Sequence, residues 1–220
     1  MTPLSVLRDS WYFFSHNLPA ITRLCLPLII LEGVLLQQVS SLAADESAAT
    51  WRLLAGLLFY PLYSAALILF LDARSNGLQP RGLDLLAAGL RLWPSFALLT
   101  GLNTLAILLG ASLFVLPGLW LMVKLAFAEY LLVLRGLSPL KSLHESFTMS
   151  SGYFWPMLTC ILMAMLPLWL LDAWIQSSPL FAEGTLASLL LGCTSRFLQL
   201  FSSVVLFRLF MLRSTQPDVD

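Results

Sequence analysis

Long apolar stretches alternate with short polar segments along this chain. Six stretches of mostly apolar residues stand out, at 18–40, 51–72, 94–116, 117–135, 154–175 and 185–208. A helix needs roughly 20 such residues to cross about 30 Å of hydrocarbon, so each stretch predicts a transmembrane helix. The third and fourth stretches meet at Leu116-Pro117-Gly118, where proline and glycine predict a hairpin turn. A single very long helix is the alternative at that junction.

A shorter amphipathic stretch precedes the first span. Its apolar positions follow helical three-and-four spacing at Leu4, Leu7, Trp11, Phe14 and Leu18. Polar residues occupy the opposite face, which predicts an amphipathic helix. Thr2 is predicted to cap that helix and Pro3 to occupy its first position. The helix can lie flat in the membrane interface or pack on the end of the bundle, and the pattern leaves both open.

This amphipathic stretch occurs three times. Residues 2–11 return without a gap as residues 138–147, with Ser138 and Pro139 in place of Thr2 and Pro3. In a fainter copy Leu83, Leu86 and Leu90 take the places of Leu4, Leu7 and Trp11. Internal repeats determine the architecture, so we predict an all-α polytopic membrane protein. Residues 1–220 are predicted to form a single transmembrane domain of three units, at about 1–75, 76–136 and 137–213, each an interfacial amphipathic helix plus a helical hairpin.

Proline stands near the start of the first span in each unit, at Pro19, Pro94 and Pro156. Because proline ends one helix and lets another begin at a new angle, these three positions are predicted hinges. Matched turns precede the second and third copies, and each contains a glycine, Gly77 or Gly136. Glycine there predicts a left-handed stop after the preceding helix.

The composition and charge of the chain predict a membrane protein. Of its 220 residues 59% are hydrophobic and 11% are charged, against about 25% charged in soluble proteins. A formal net charge of zero excludes a broadly basic nucleic-acid binder. Asp9, His16 and Asn17 precede the first apolar run, so a retained first helix is expected instead of a cleaved leader.

Lysine and arginine predict the orientation. One set of loops and ends carries Arg8, Arg23, Arg74, Arg81, Arg91, Arg135, Lys141, Arg208 and Arg213. The opposite loops carry Asp45, Glu46, Asp172 and Glu183, with Arg52 as their only cation. Since positive loops stay in the cytoplasm, both termini are predicted to be cytoplasmic. Trp11, Trp93 and Trp155 would mark the cytoplasmic boundary, and Trp51, Trp120 and Trp174 the outer one.

Four charged residues lie inside the predicted spans: Glu32, Lys124, Glu129 and Arg196. A charge near the bilayer centre costs about 2.5–3.5 kcal/mol unless it is paired or hydrated. Glu32 and Arg196 have similar predicted depths and could pair between spans one and six. Lys124 and Glu129 are five residues apart, which is off the favoured helical spacing, so each is expected to find a partner on another helix.

Two interpretations of these charges remain open. They are structural ion pairs, or all four line one polar cavity or lipid-headgroup groove. Span six adds a face of small and polar residues, expected to be a close packing seam: Thr185, Ser188, Gly192, Ser195, Gln199 and Ser202.

No catalytic, cofactor or metal residue is predicted. Cys25, Cys160 and Cys193 lie in apolar segments without CxxC spacing, which indicates packing residues. His144-Glu145 is not HExxH, and the chain contains no GxxxxGK[ST] phosphate-binding loop. His16 and His144 are expected on solvated faces.

The block from Leu116-Pro117-Gly118 through Lys124, then Leu137 to Phe147 and Gly152, resembles the YciC-like family of bacterial inner-membrane proteins. It is also similar to the membrane domain attached to some glycerophosphodiester phosphodiesterases. In the family's pattern a basic residue follows Pro-Gly within span four, and Lys124 matches it. The resemblance implies a six-span inner-membrane protein without an assigned reaction, and its hydrolase kinship implies lipid contact.

The function expected from all of this is a non-enzymatic module of the bacterial inner membrane. It would engage lipid or a partner protein in envelope maintenance, or in lipid homeostasis or transport, through a groove under the amphipathic helices. The partners expected are membrane lipids and either an envelope protein or a second copy of the chain, and not nucleic acid. The alternative is a small-solute carrier or channel subunit.

Overall fold

A computed structural model describes residues 3–42, 45–152, 154–177 and 186–214, and these residues are helical apart from short turns. The helices are α1 (Pro3–Leu42), α2 (Asp45–Ser75), α3 (Gly82–Leu113), α4 (Val115–Lys124), α5 (Ala128–Arg135), α6 (Pro139–Met149), α7 (Phe154–Ser177) and α8 (Leu186–Ser214). The predicted all-α class is confirmed. Thr2, Glu183 and Thr185 lie outside the described residues.

Six segments of the described chain are long and apolar enough to cross a membrane. They are Leu4–Gln38, Leu53–Ser75, Gly82–Leu113, Val115–Arg135, Phe154–Leu171 and Leu189–Ser214. Only 17% to 50% of each apolar window is buried inside the protein. The remaining faces are leucine-rich and exposed, as at Leu98, Leu105 and Leu109 of α3. Such faces are stable against lipid and not against water, so the protein is a multi-pass membrane protein.

The main apolar core lies where α1, α2, α3, α5 and α8 meet. Ile21, Leu67, Phe96, Leu131 and Leu200 are all buried in it, between 0% and 4% exposed. A smaller cluster joins α1, α7 and α8 through Val6, Cys160, Ala164 and Val205. The three cysteines are free and buried. The Cys193 sulfur packs against Gly33, where an added Cβ would lie 3.1 Å from the sulfur. These positions agree with packing roles.

The amphipathic stretches of the first two units are not separate helices, which corrects the sequence prediction. Helix α1 runs for 40 residues through Pro19, and α3 runs for 32 residues through Pro94. Core contacts on both sides of Pro19, through the buried Phe14 and Ile21, stabilise the continuous helix despite the lost hydrogen bond. At 1.5 Å per residue, α1 is about 60 Å long, roughly twice the hydrocarbon thickness.

Only the third unit contains the predicted separate amphipathic helix. It is α6, which is followed by a turn with Gly152 at φ +82° and then by α7. Pro156 lies in the first turn of α7, a position that tolerates proline. All three predicted hinge prolines have exposed side chains. Their action as hinges stays a prediction.

Helices α3 and α4 form the predicted hairpin, and the single-long-helix alternative is excluded. The turn is at Phe114, whose backbone is extended, and not at Pro117-Gly118, which lie within α4. Gly118 instead provides close helix contact, because a Cβ there would stand 2.8 Å from the Cβ of Ala111. The prediction that Gly118 matters to the hairpin is confirmed, but its predicted position in the turn is wrong.

The two predicted glycine stops are confirmed. Gly77 and Gly136 have φ of +76° and +63°, and the left-handed Gly136 ends α5. Beyond Gly77, the Leu78 amide donates to the Ala73 carbonyl at 2.9 Å, which satisfies the end of α2. Ser138 and Pro139 occupy the cap and first position of α6 as predicted, but the Ser138 side chain makes no capping hydrogen bond.

Candidate functional site

Span four is broken near its middle, which sequence reasoning did not detect. Helix α4 ends at Lys124, a turn covers residues 125–127, and α5 begins at Ala128. Lys124 therefore lies in the last turn of α4 and Glu129 in the first turn of α5. A cation at a helix C-terminus and an anion at an N-terminus both interact favourably with the helix dipole. Lys124 and Glu129 are five residues apart because they lie at the ends of two successive helices, and not on one face of a single helix.

Helix α6 satisfies the backbone groups freed by this break. The Ser146 hydroxyl donates to the Lys124 carbonyl at 2.8 Å and accepts the Phe127 amide at 3.1 Å. Ser142 and Ser146 of α6 and Ser150, which caps its C-terminus, recur at helical spacing and are all 0% exposed, so the side of α6 that faces the break carries buried serines. In a membrane protein an irregular segment requires such internal partners. The serine face is what allows span four to be discontinuous.

Lys124 is 8% exposed and has its partners on and just after α6. Its ammonium donates to the Ser151 hydroxyl at 2.8 Å and lies 4.9 Å from the centre of the Phe147 ring. The Trp120 ring of α4 is 5.8 Å away. Aromatic faces attract a cation, and the attraction grows when water is excluded. The expectation of a partner outside its own span is met, and no carboxylate pairs with Lys124 among the described residues.

Glu129 is bound by α2. The Tyr60 hydroxyl lies 3.0 Å from both carboxylate oxygens, and the Ser64 hydroxyl lies 3.4 Å from one of them. The Tyr60 ring packs edge-on against Tyr63 at 5.6 Å and against Phe96 at 6.4 Å, so the hydroxyl is held in place by aromatic contacts. The predicted partner on another helix is found, and it is a pair of hydroxyls instead of a cation.

Glu32 and Arg196 form the predicted ion pair between α1 and α8. The Glu32 side chain is 1% exposed and the Arg196 side chain 37% exposed, so the carboxylate is in the core and the guanidinium reaches the surface. The second carboxylate oxygen of Glu32 has no hydrogen-bond partner in the part of the chain that is described. The pair joins the first and last spans of the molecule.

The four intramembrane charges therefore bind three different sets of side chains, and in the described part of the chain no hydrogen bond or ion pair joins Lys124, Glu129 and the Glu32–Arg196 pair to one another. The expected packing seam on α8 is also only partial. Ser195 and Ser202 are buried, but Gly192 is exposed, and a Cβ there would meet nothing within 4 Å. Ser188 has no described side chain. Helices α8 and α1 approach each other closely at Cys193 and Gly33. The contact on α8 is therefore made by the residue that follows the predicted Gly192.

A cleft of about 350 Å³ lies between α1, α2 and the start of α3. It is lined by Ala20, Arg23, Leu24, Phe70, Pro80, Gly82, Leu83, Leu85 and Leu86. Arg23 is the one charged side chain in this lining, and the four intramembrane charges are not part of it. The cleft could not be found from sequence, because its walls come from three segments far apart in the chain.

In the described ranges no three His, Cys, Asp or Glu side chains are grouped as metal ligands would be. Comparison with family models, with curated proteins and with solved structures gave no match for this chain. The family resemblance of the Pro-Gly block stays a prediction. Function must therefore be inferred from the cleft and from the buried polar networks.

Proposed function

We propose that this protein is a non-enzymatic module of the bacterial inner membrane that holds lipid in the cleft between α1, α2 and α3. Its role would be in envelope maintenance or in lipid homeostasis or transport. The observation that carries the proposal is a concave surface of apolar side chains with one arginine at its mouth. Ligand sites commonly combine apolar walls with a few polar groups that orient the ligand. The resemblance to the YciC-like family supports the same class of protein.

Two segments of the sequence repeats contribute residues to the cleft. Ala20 directly follows Pro19 on α1, and Leu83 and Leu86 belong to the amphipathic stretch of the second unit. Leu83 is 80% exposed, and an exposed leucine beside an open cleft is stabilised by lipid. We therefore assign the proposed lipid groove to this cleft instead of to a cavity lined by the four buried charges.

The buried charges support the fold in this proposal. Glu129 is bound by two hydroxyls, Lys124 by Ser151 and two rings, and Glu32 by Arg196. Each of these charges is neutralised or solvated by its own neighbours, as a charge inside a membrane requires. We propose a structural role for them and a lipid role for the cleft, with both termini in the cytoplasm.

Lipid retention by a cleft-filling variant tests the proposal. Ala20→Trp places a large ring in the cleft, and Ala106→Trp on α3 is the matched control, because Ala106 is also half-buried but does not line the cleft. Lipid that co-purifies with the detergent-extracted protein would be counted by native mass spectrometry. We expect Ala20→Trp to lose lipid relative to both the wild type and the control. Equal lipid retention in all three folded proteins would refute the proposal.

The broken span four favours a second candidate, a small-solute carrier or channel subunit. Discontinuous helices with facing ends build substrate and ion sites in many transporters, and Glu129 stands at such an end. Solute flux into liposomes that contain only this protein would favour this candidate if Glu129→Gln abolished the flux. Liposomes as tight as protein-free ones would count against it.

A further inference from the structure

We infer that the cleft prefers lipids whose headgroup carries a net negative charge: the Arg23 guanidinium binds the phosphate, and a zwitterionic lipid has the same phosphate but adds a cation that Arg23 repels. This inference rests on the proposed lipid function and specifies the chemical class of the lipid. It follows from three features of the cleft: an arginine that pairs with no described carboxylate, the apolar walls beside that arginine, and the charges of the adjacent helix end.

Arg23 is exposed, and none of the ion pairs between described residues includes it. Across the described ranges the ion-paired carboxylates are Glu32, Glu145 and Asp9, and their partners are other arginines. Arg74 at the end of α2 is engaged differently, since its Nε donates to the Asn17 side chain at 2.9 Å. Arg23 is therefore the cation of the cleft that can bind an external anion. A guanidinium matches phosphate oxygens with two parallel hydrogen bonds.

The polarity of the cleft matches an amphiphile. Leu24, Phe70 and Leu85 are 5%, 6% and 8% exposed and form the inner wall. Arg23 and Leu83 are exposed and lie at the mouth. The volume of about 350 Å³ is at the small end of ligand sites, which are roughly 300–1,000 Å³. The cleft can hold the headgroup end of a lipid together with the first part of its acyl chains, while the remainder of the chains stays in the bilayer.

The start of α3 adds to the positive character of the mouth. Arg81 holds the cap position, is exposed, and makes no side-chain capping bond. The Asp84 amide donates to the Arg81 carbonyl at 3.1 Å, and the dipole of α3 favours an anion near this end of the helix. Asp84 in the same turn opposes this effect, but it is exposed and does not line the cleft. These charges strengthen a site that Arg23 and the cavity define.

A lipid competition experiment tests the inference on the full-length protein in detergent. Phosphatidylglycerol and phosphatidylcholine are offered at equal concentration, and bound lipids are counted by native mass spectrometry. We expect the wild type to prefer phosphatidylglycerol and Arg23→Gln to lose about fivefold of that preference, the effect of one basic residue near a membrane surface. Arg23→Lys keeps the charge and should retain part of the preference. Arg91→Gln, an exposed arginine of α3 outside the cleft, should leave it unchanged.

The outcomes separate the two proposals. If both lipids bind equally to the wild type and Ala20→Trp removes both, lipid binding stands and the charge preference is refuted. If Ala20→Trp removes neither lipid, the proposed function fails as well. Inorganic phosphate at millimolar concentration is added in a last arm. Displacement of phosphatidylglycerol by inorganic phosphate would identify a free anion as the ligand and would overturn the assignment to lipid.

Discussion

The Glu32 carboxylate of α1 is bound by the Arg196 guanidinium of α8, so the first and last spans of the chain are joined by an ion pair. Their separation of 164 residues makes this one of the longest-range contacts in the fold. A carboxylate that is 1% exposed cannot be solvated from outside the protein, and its stability depends on this single partner.

Substitution of Arg196 alone should therefore lower the free energy of unfolding more than substitution of both Glu32 and Arg196. We expect Arg196→Met to destabilise the protein by about 2 kcal/mol, less than the roughly 3–5 kcal/mol of a fully buried pair, because the guanidinium is partly exposed. The double variant with Glu32→Gln should recover most of that loss. Unfolding of four proteins in detergent (the wild type, Arg196→Met, Glu32→Gln and the double variant), compared as a double-mutant cycle, measures the coupling. Additive effects would show that the ion pair contributes nothing.

Two serines of α6 provide a matched test of the break in span four. Ser146→Ala removes the acceptor of the Phe127 amide, whereas the Lys124 carbonyl keeps the Ser150 hydroxyl at 3.1 Å, and we expect the loss to cost about 1–3 kcal/mol. Ser142 is equally buried, but its hydroxyl has no partner within the described chain, so Ser142→Ala should be neutral or stabilising. Thermal unfolding of the two variants decides this, and equal losses would contradict the capping role of Ser146.

Tyr60 should stabilise the protein through Glu129. Tyr60→Phe removes a hydroxyl that lies 3.0 Å from both carboxylate oxygens, and hydrogen bonds to charged groups contribute about 1.5–3 kcal/mol. Tyr12→Phe, on an exposed tyrosine of α1, is the control and should change stability little. In a Glu129→Gln background the effect of Tyr60→Phe should shrink, and an undiminished effect would disprove the coupling.

Gly118 should tolerate no side chain. In Gly118→Ala the new methyl would stand 2.8 Å from the Cβ and 2.9 Å from the Cα of Ala111, so α3 and α4 must separate, at a cost of about 1–3 kcal/mol. Gly192→Ala meets nothing within 4 Å and should stabilise α8 by up to about 1 kcal/mol, the difference in helix propensity. A denaturation series on both variants tests the opposite signs. Destabilisation by Gly192→Ala alone would contradict the predicted packing.

The orientation predicted from arginine and lysine can be tested by reporter fusions. Fusions after Leu78 and after Leu140 should both report the cytoplasm, because both positions lie among the basic segments. A fusion after Phe114, at the turn between α3 and α4, should report the periplasm. Periplasmic signals at residues 78 and 140 would overturn the predicted orientation.

Features that depend on local pattern were predictable. The six apolar segments, the left-handed glycines at 77 and 136, and the proline at the start of α6 each depend on a few neighbouring residues. The pairing of Glu32 with Arg196 was also predictable, because a charge in a membrane requires a partner and the two residues lie at similar depth. In these cases the residue types alone limit the outcome.

Features that depend on several segments were not predictable. Whether Pro19 ends a helix is decided by packing on both sides of it, through Phe14 and Ile21, and the helix continues. The break after Lys124 forms because serines of α6 are present to satisfy it, although nothing within span four marks it. The cleft exists only where α1, α2 and α3 diverge around Arg23. The hydrophobicity of each segment depends on its own residues, so the apolar spans could be predicted from the sequence. The hydrogen-bond partners of freed backbone groups and the shape of a cavity depend on helices that are distant in the chain, so only the tertiary structure determines them.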